Sequence, residues 1–364
     1  MTDATGDIDF LVESALDLAR HGAESGIGEI HKRLLMLAGE DDGISDREEG
    51  VLTQDPEHAG DPARLIDAAA HEAVRDALNV RFSASEVLGK RVEHFHVIGE
   101  EGGIQTQILR AGTLIARTDP LDGTTNAVNT LSGFACVVSI DFLKNSQGPI
   151  RHLAGAIMGG DFDLSWTNRS PRAASNPMKY QRLEGQVFVR SNRLGMGWQR
   201  LNVEEDRRST SVASVAASLK RFTAFERVRQ QVFSHGGIVY HLAGNPLWAG
   251  LLMGQVGFVV ETQKVTLHDS VFLIPHSLLG GIVEREDGSP LHYLEVYEQN
   301  ASRFDPREKV IPPYVAFCGG VDRNALTRLT NNSFATAASI PVNEVVSPVK
   351  NQGVRSVELP KSIF

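Results

Sequence analysis

The segment that most restricts the fold is residues 117–129, RTDPLDGTTNAVN, which follows the apolar run at 113–116. An apolar strand-like run is broken at once by Asp-Pro-Leu-Asp-Gly, a string suited to a tight turn. Pro120 presets φ, and Gly123 accepts a conformation that other residues resist. Taken alone, the string reads as a structural turn. Its neighbours add more, because Thr124-Thr125-Asn126 can cap a helix. Strand, turn and helix start would then set two carboxylates, Asp119 and Asp122, beside the N–H groups of Gly123 and Thr124. Carboxylates gather hard divalent cations, and helix-start N–H groups gather phosphate oxygens.

Around this segment the chain alternates in period. Residues 7–39 carry Leu11, Ala15, Leu18 and Ala19, then Ile27, Ile30, Leu34 and Leu35 at helical spacing, with a break expected near Gly22–Gly28. Residues 64–81 return to helix. Strands are predicted at 95–99, 113–117, 135–143 and 153–158. Residues 40–62 hold nine acids and one base with several Gly and Pro, a loop by composition and longer than a usual connection. Residues 168–185 are polar and contain proline, which suggests a junction. Beyond it come a strand at 186–191, a helical stretch near 212–232 and a strand at 236–242. A helix opened by Pro246, a strand at 257–262 and a helix at 267–281 kinked by Pro275 follow. A strand–turn–strand around Asp287–Gly288 closes the series. Strands interleaved with helices imply a layered α/β (α+β) protein. The division reads as 1–185, a half carrying the motif strands and acidic loop; 186–330, a second half carrying Asp269; and a tail, 331–364.

Two further acidic spots share the pattern. Glu100 and Glu101 end the strand-like HVIG, where adjacent like charges are costly unless solvated or neutralised. Asp269 opens a helix, where a dipole-favoured cap is the ordinary explanation. The net charge of −9 argues against a general nucleic-acid binder. Cys136 and Cys318 are too few for a disulfide framework or a cysteine zinc site. The amino terminus lacks a signal-peptide run, and no apolar stretch nears the ~18–20 residues of a membrane span, so a soluble cytoplasmic chain is expected.

Together these pieces resemble the inositol monophosphatase family, Mg²⁺-dependent and lithium-sensitive phosphatases of the fructose-1,6-bisphosphatase-like superfamily. The resemblance rests on Gly-Glu-Glu at 99–101, Asp-Pro-Leu-Asp-Gly-Thr-Thr-Asn at 119–126, and Asp269 ahead of Gly280–Gly281, all in the family's order. It covers roughly residues 64–320. Three departures stand out. His268 replaces the family's Trp, and with carboxylates sufficient as ligands it reads as one wall of the site. Pro275 interrupts the following helix. The stretch before it lacks the usual Gly-Ser/Thr-Ala-Ala-Leu, which argues against inositol as substrate.

The resemblance implies a layered αβαβα sandwich, a homodimer, and two or three Mg²⁺, with Mn²⁺ as a substitute. Glu100, Asp119, Asp122, Asp269 and the Leu121 carbonyl would be the metal ligands. Glu100 and the Thr124 hydroxyl would orient the attacking water. Gly123, Thr124 and Thr125 would bind phosphate oxygens, and Glu261 would accept substrate hydroxyls. The acidic loop at 40–62 falls where the family has a mobile loop that closes over the metals. The expected activity is hydrolysis of a phosphate monoester of a small polyol, sugar or nucleotide, without nucleic-acid or membrane partners. A nucleotide or sugar bisphosphate phosphatase is the alternative within the class. A phosphometabolite-binding regulator with little turnover is the alternative outside it.

Overall fold

The computed structural model describes residues 6–39, 62–99, 110–124, 127, 133–145, 150–159, 162–169, 184–192, 195–201, 212–216, 238–240, 244–252, 257–261, 263–301 and 308–317. Glu100, Thr125, Cys318, the acidic stretch 40–61 and the tail 331–364 lie outside the described residues.

Two long helices, α1 (Gly6–Gly39) and α2 (Pro62–Ala84), cover one face of a seven-stranded sheet. A short helix α3 (Glu86–Arg91), capped by the Ser85 hydroxyl, leads into the sheet. Its strands are β1 (His94–Gly99), β2 (Thr113–Asp122), β3 (Ala135–Leu143), β4 (Arg151–Gly159), β5 (Phe162–Asn168), β6 (Gly185–Ser191) and β7 (Gln199–Leu201), in spatial order β1 to β7. β1 and β2 are parallel; every later neighbour is antiparallel. The boundary read at 185/186 falls at the first residue of β6, within this one sheet.

A second sheet holds β8 (Val212–Ala216), β9 (Ile238–Tyr240), β10 (Phe258–Glu261), β11 (Ile282–Arg285) and β12 (Tyr314–Phe317) in the order β11-β12-β10-β8-β9. Between the sheets lie a 3₁₀ turn at Asn245–Leu247 running into α4 (Trp248–Leu252), a 3₁₀ turn at His268–Ser270, α5 (Leu273–Leu278) and α6 (Tyr293–Asn300). One apolar core joins Ile115, Val137 and Trp166 of the first sheet to Leu251, Phe272 and Tyr297, and on to Val259 and Tyr314 of the second. The other joins Leu114, Ala116, Cys136 and Val138 to the stripe Leu11, Ala15, Leu18, Ala19 of α1 and to Val74 and Leu78 of α2. The described residues thus stack helix, sheet, helix, sheet. No helix among them is long and apolar enough to cross a membrane.

Four local expectations are corrected. α1 runs unbroken through Gly22 and Gly26, because both are packing positions. A Cβ on Gly26 would lie 2.4 Å from Cys136 Sγ, and one on Gly22 2.9 Å from Leu78 Cδ2. Residues 212–216 form a strand, paired in parallel with β9 and β10. Residues 293–300 are helical: Tyr293, Leu294 and Tyr297 recur at helix spacing and are buried. Pro275 lies in the first turn of α5, where its missing N–H costs nothing, and the segment splits before it into a 3₁₀ turn and α5.

A buried polar chain fixes β2 within the sheet. Trp166 Nε1 donates to His152 Nε2 (2.9 Å), so the ring proton lies on Nδ1 and goes to Asp141 Oδ1 (2.9 Å). Asp141 Oδ2 also accepts Arg117 Nε (2.9 Å) and the Tyr297 hydroxyl (3.1 Å), leaving Ser139 to donate to Tyr297. Gly155 lies opposite Trp166; a Cβ there would sit 2.2 Å from the indole. With each member partnered, the chain satisfies its buried groups and locks Arg117, two residues before Asp119.

Candidate metal centre

Strand periodicity alone would separate the two motif carboxylates. Side chains alternate, so Ile115, Arg117 and Asp119 share the face opposite Leu114 and Ala116. Asp122, three residues on, would face the other way. The structure restores it with a bulge: Asp119 pairs with Val137 and Asp122 with Ala135, three steps on β2 against two on β3. Pro120, which has no N–H for the ladder, sits inside the irregularity. The Asp-Pro-Leu-Asp string is therefore the bulged end of a strand, and the turn comes one residue later. There Gly123 has φ +86°, and a Cβ would meet the Gly133 carbonyl at 2.6 Å.

Beyond the turn Ala127 N–H donates to the Gly123 carbonyl (3.0 Å), a first helical turn. The Thr124 hydroxyl donates to the Leu121 carbonyl (2.9 Å) and occupies one of its two lone pairs. The Leu121 side chain anchors in the α1/α2 core, so its carbonyl is held from behind.

Asp269 arrives from the turn between the sheets. Its N–H donates to Thr266 Oγ1 (3.2 Å), and its Oδ2 accepts the Thr266 N–H (3.4 Å), a reciprocal pair like a capping box. Oδ1 lies 4.0 Å from His268 Nε2. One donor atom each from Asp119, His268 and Asp269 fall within 4.8 Å of one another. His268, read from sequence as a wall, thus belongs to the cluster. Asp119, Asp122 and His268 are buried, and Asp269 is partly exposed.

Asn245 was not found by sequence reasoning, yet it organises the site. Its N–H (2.6 Å) and Nδ2 (2.7 Å) both donate to Asp122 Oδ2. Nδ2 also donates to the His268 carbonyl (2.6 Å), and Oδ1 accepts the Phe272 N–H (2.9 Å). One buried amide therefore ties the end of β2 to the turn bearing His268 and Asp269. Gly244, at φ +69°, is required beside it, since a Cβ would stand 2.3 Å from Asp122 Oδ1. The only sequence signal was the Gly-Asn-Pro string at a helix start.

Charge at the site is unfavourable without a cation. Burial, then the charge of Asp269, pushes Asp122 up to about 8, against the Asn245 donors and His268, which pull it down. Burial, then the charges of Asp119 and Asp67, likewise pushes the Cys136 thiol up. Buried Asp67 of α2 was also missed in sequence. Glu261 ends β10 in the second sheet, buried, with its Oε1 accepting the Gln263 N–H (2.9 Å). Burial, then the charges of Glu261, Tyr293, Asp269 and Asp122, pushes the buried Tyr314 hydroxyl up. Converging oxygen donors with one imidazole, partly desolvated, fit a divalent cation.

No sequence-family model matches the chain, and no curated protein matches it in sequence. Among solved structures it is similar to CysQ from Bacteroides thetaiotaomicron, a bacterial member of the inositol monophosphatase family. The TM-score is 0.51 at 15% identity, over 84% of this chain and 97% of that one. An inositol monophosphatase from Zymomonas mobilis has TM-score 0.49 at 14% identity, over 88% and 98%. The seven-stranded mixed sheet and the likeness to CysQ identify the fold of this chain as that of the inositol monophosphatase family.

Proposed function

We propose that the chain is a divalent-cation-dependent phosphomonoesterase acting on a small phosphorylated polyol, sugar or nucleotide. The observation that supports this most is the bulge that turns Asp119 and Asp122 to one face, where Asp269 meets them beside the Gly123 turn. Asp119, Asp122, Asp269 and the Leu121 carbonyl would hold the cation, Mg²⁺ or Mn²⁺, joined by Glu100 on the resemblance. A bound cation supplies Lewis acidity and lowers the pKa of a coordinated water.

The chain's own groups do the remaining work. The N–H groups of Gly123 and Thr124, and of Thr125 on the resemblance, receive phosphate oxygens at the helix start. The Thr124 hydroxyl, now directed to the Leu121 carbonyl, and the Glu100 carboxylate orient the attacking water. Glu261 accepts hydroxyls of the substrate from the second sheet. Thr266 and Asn245 keep Asp269 and Asp122 in place through neutral donors, which limits the rearrangement they need to meet a cation.

The test is inorganic phosphate release by the purified full chain over a panel of sugar, polyol and nucleotide phosphates. Release is expected with Mg²⁺ or Mn²⁺, lost in EDTA and lowered by millimolar Li⁺. Turnover that survives exhaustive chelation refutes the reading. Metal binding without turnover on any ester supports a phosphometabolite-binding regulator instead.

A further inference from the structure

We propose that His268 is itself a cation ligand, joining Asp119 and Asp269, and that its imidazole shifts the site's preference from Mg²⁺ toward first-row transition ions. This rests on the metal-dependent reading above and adds to it a nitrogen donor that four carboxylates do not require.

The geometry supports a shared ion. The donor atoms of Asp119, His268 and Asp269 lie within 4.8 Å of one another. Three ligands of one ion with bonds of about 2.0–2.2 Å stand roughly 3–4 Å apart in most pairs, so inward rotation of these side chains is what completes the shell. Asp269 and the backbone of His268 are also held from their far sides. Asp269 Oδ2 is engaged by the Thr266 N–H, which leaves Oδ1 as the oxygen turned to the ring, 4.0 Å from Nε2. The His268 carbonyl accepts Asn245 Nδ2, so the backbone presenting the ring cannot swing independently of Asp122, which shares that same amide. The His268 side chain is only 8% exposed, and its place on a 3₁₀ turn makes it adjacent in chain and in space to Asp269. Two neighbouring residues then chelate one ion, and Asp119 bridges to it from the sheet.

The chemistry sets the preference. Mg²⁺ takes oxygen donors in a strict octahedron and keeps its waters. Imidazole nitrogen is a better donor to Co²⁺, Zn²⁺ and Fe²⁺, with Mn²⁺ between. An all-carboxylate site would already favour Mn²⁺ somewhat over Mg²⁺, so the diagnostic is how the preference changes when the ring nitrogen is removed.

Two measurements on the full-length protein test this. The first uses the wild type alone: pulsed electron paramagnetic resonance of bound Mn²⁺ should show modulation from a directly coordinated ¹⁴N nucleus. The second compares Co²⁺ and Mg²⁺ affinities, read by titration calorimetry without substrate, in wild type and His268→Phe. The variant should bind Co²⁺ at least about tenfold more weakly, the lower end of what the loss of even an outer partner costs, with Mg²⁺ affinity much less changed. Absence of nitrogen coupling, or an unchanged Co²⁺ to Mg²⁺ ratio in a folded variant, overturns the assignment. If cation-dependent phosphate release persists in that case, the phosphatase reading stands and only the ligand role of His268 falls. If the wild type binds no divalent ion by either measurement, both fall together.

Discussion

Asn245→Ala isolates the joint that holds the site together. The side chain is fully buried and makes three hydrogen bonds: Nδ2 to Asp122 Oδ2 (2.7 Å), Nδ2 to the His268 carbonyl (2.6 Å), and Oδ1 from the Phe272 N–H (2.9 Å). Alanine leaves the His268 carbonyl and the Phe272 N–H buried without these partners. Each such group costs about 1–3 kcal/mol, and the values do not add fully because they share one side chain. The bond from the Asn245 N–H to Asp122 survives, which limits the loss. A destabilisation of roughly 4 kcal/mol follows, near the upper end for a single substitution. For 364 residues at about 2.1 cal/mol/K of unfolding entropy each, that lowers Tm by about 5 °C. Thermal unfolding followed by circular dichroism, with and without Mn²⁺, is the assay. The variant should also lose much of the stabilisation that Mn²⁺ confers, since Asp122 and the His268–Asp269 turn are no longer tied. A loss under about 1 kcal/mol with an intact Mn²⁺ response would show that Asn245 merely fills space and that other contacts register the two elements.

Two further predictions use the charge at the site. With its folded-state pKa near 8 against an ordinary carboxylate value when unfolded, Asp122 stabilises the metal-free fold fully at acid pH, and that contribution is lost as pH rises toward 8. The Tm of chelator-treated protein should therefore fall across this window, and Asp122→Asn or saturating Mn²⁺ should flatten the slope; an unchanged slope in Asp122→Asn assigns the effect to another group. Asp119→Asn should abolish phosphate release while leaving the far-ultraviolet circular dichroism intact, and near-wild-type turnover in that variant refutes the ligand assignment.

Much of the fold was legible because its elements carry the period of their environment. α2 shows its apolar stripe, and β3 is a mostly apolar run because both its faces are covered. What escaped depends on partners distant in sequence. Gly22 and Gly26 look like helix breakers until Leu78 and Cys136 are seen to occupy the space their side chains would need. The helix Tyr293–Asn300 looks like a strand from its aromatic residues, and only burial against Asp141 and Ser270 brings Tyr293 and Tyr297 to one face. The motif acids were legible as residue types. Their sharing of one face was not, since it needs a bulge that no periodicity announces.

The same distinction explains the residues that were missed. Asn245 lies 123 positions from Asp122, and its donors acquire meaning only when the second half of the chain closes on the first. Those donors are neutral, and this carries an argument about charge. The cation on the same face of β2, Arg117, gives its Nε to Asp141 and is locked there by a buried chain that ends at Trp166. Asp122 is restrained by an amide and a backbone N–H, and Asp269 by the Thr266 N–H. Hydrogen bonds of this kind fix position without adding positive charge, whereas a lysine or arginine at the same points would neutralise the carboxylates and compete with any entering ion. The fold therefore holds Asp122 and Asp269 in register at an electrostatic cost that Asp122 expresses as a raised pKa. A divalent cation relieves that cost on entry, so binding should release a proton near neutral pH and stabilise the protein in the same step.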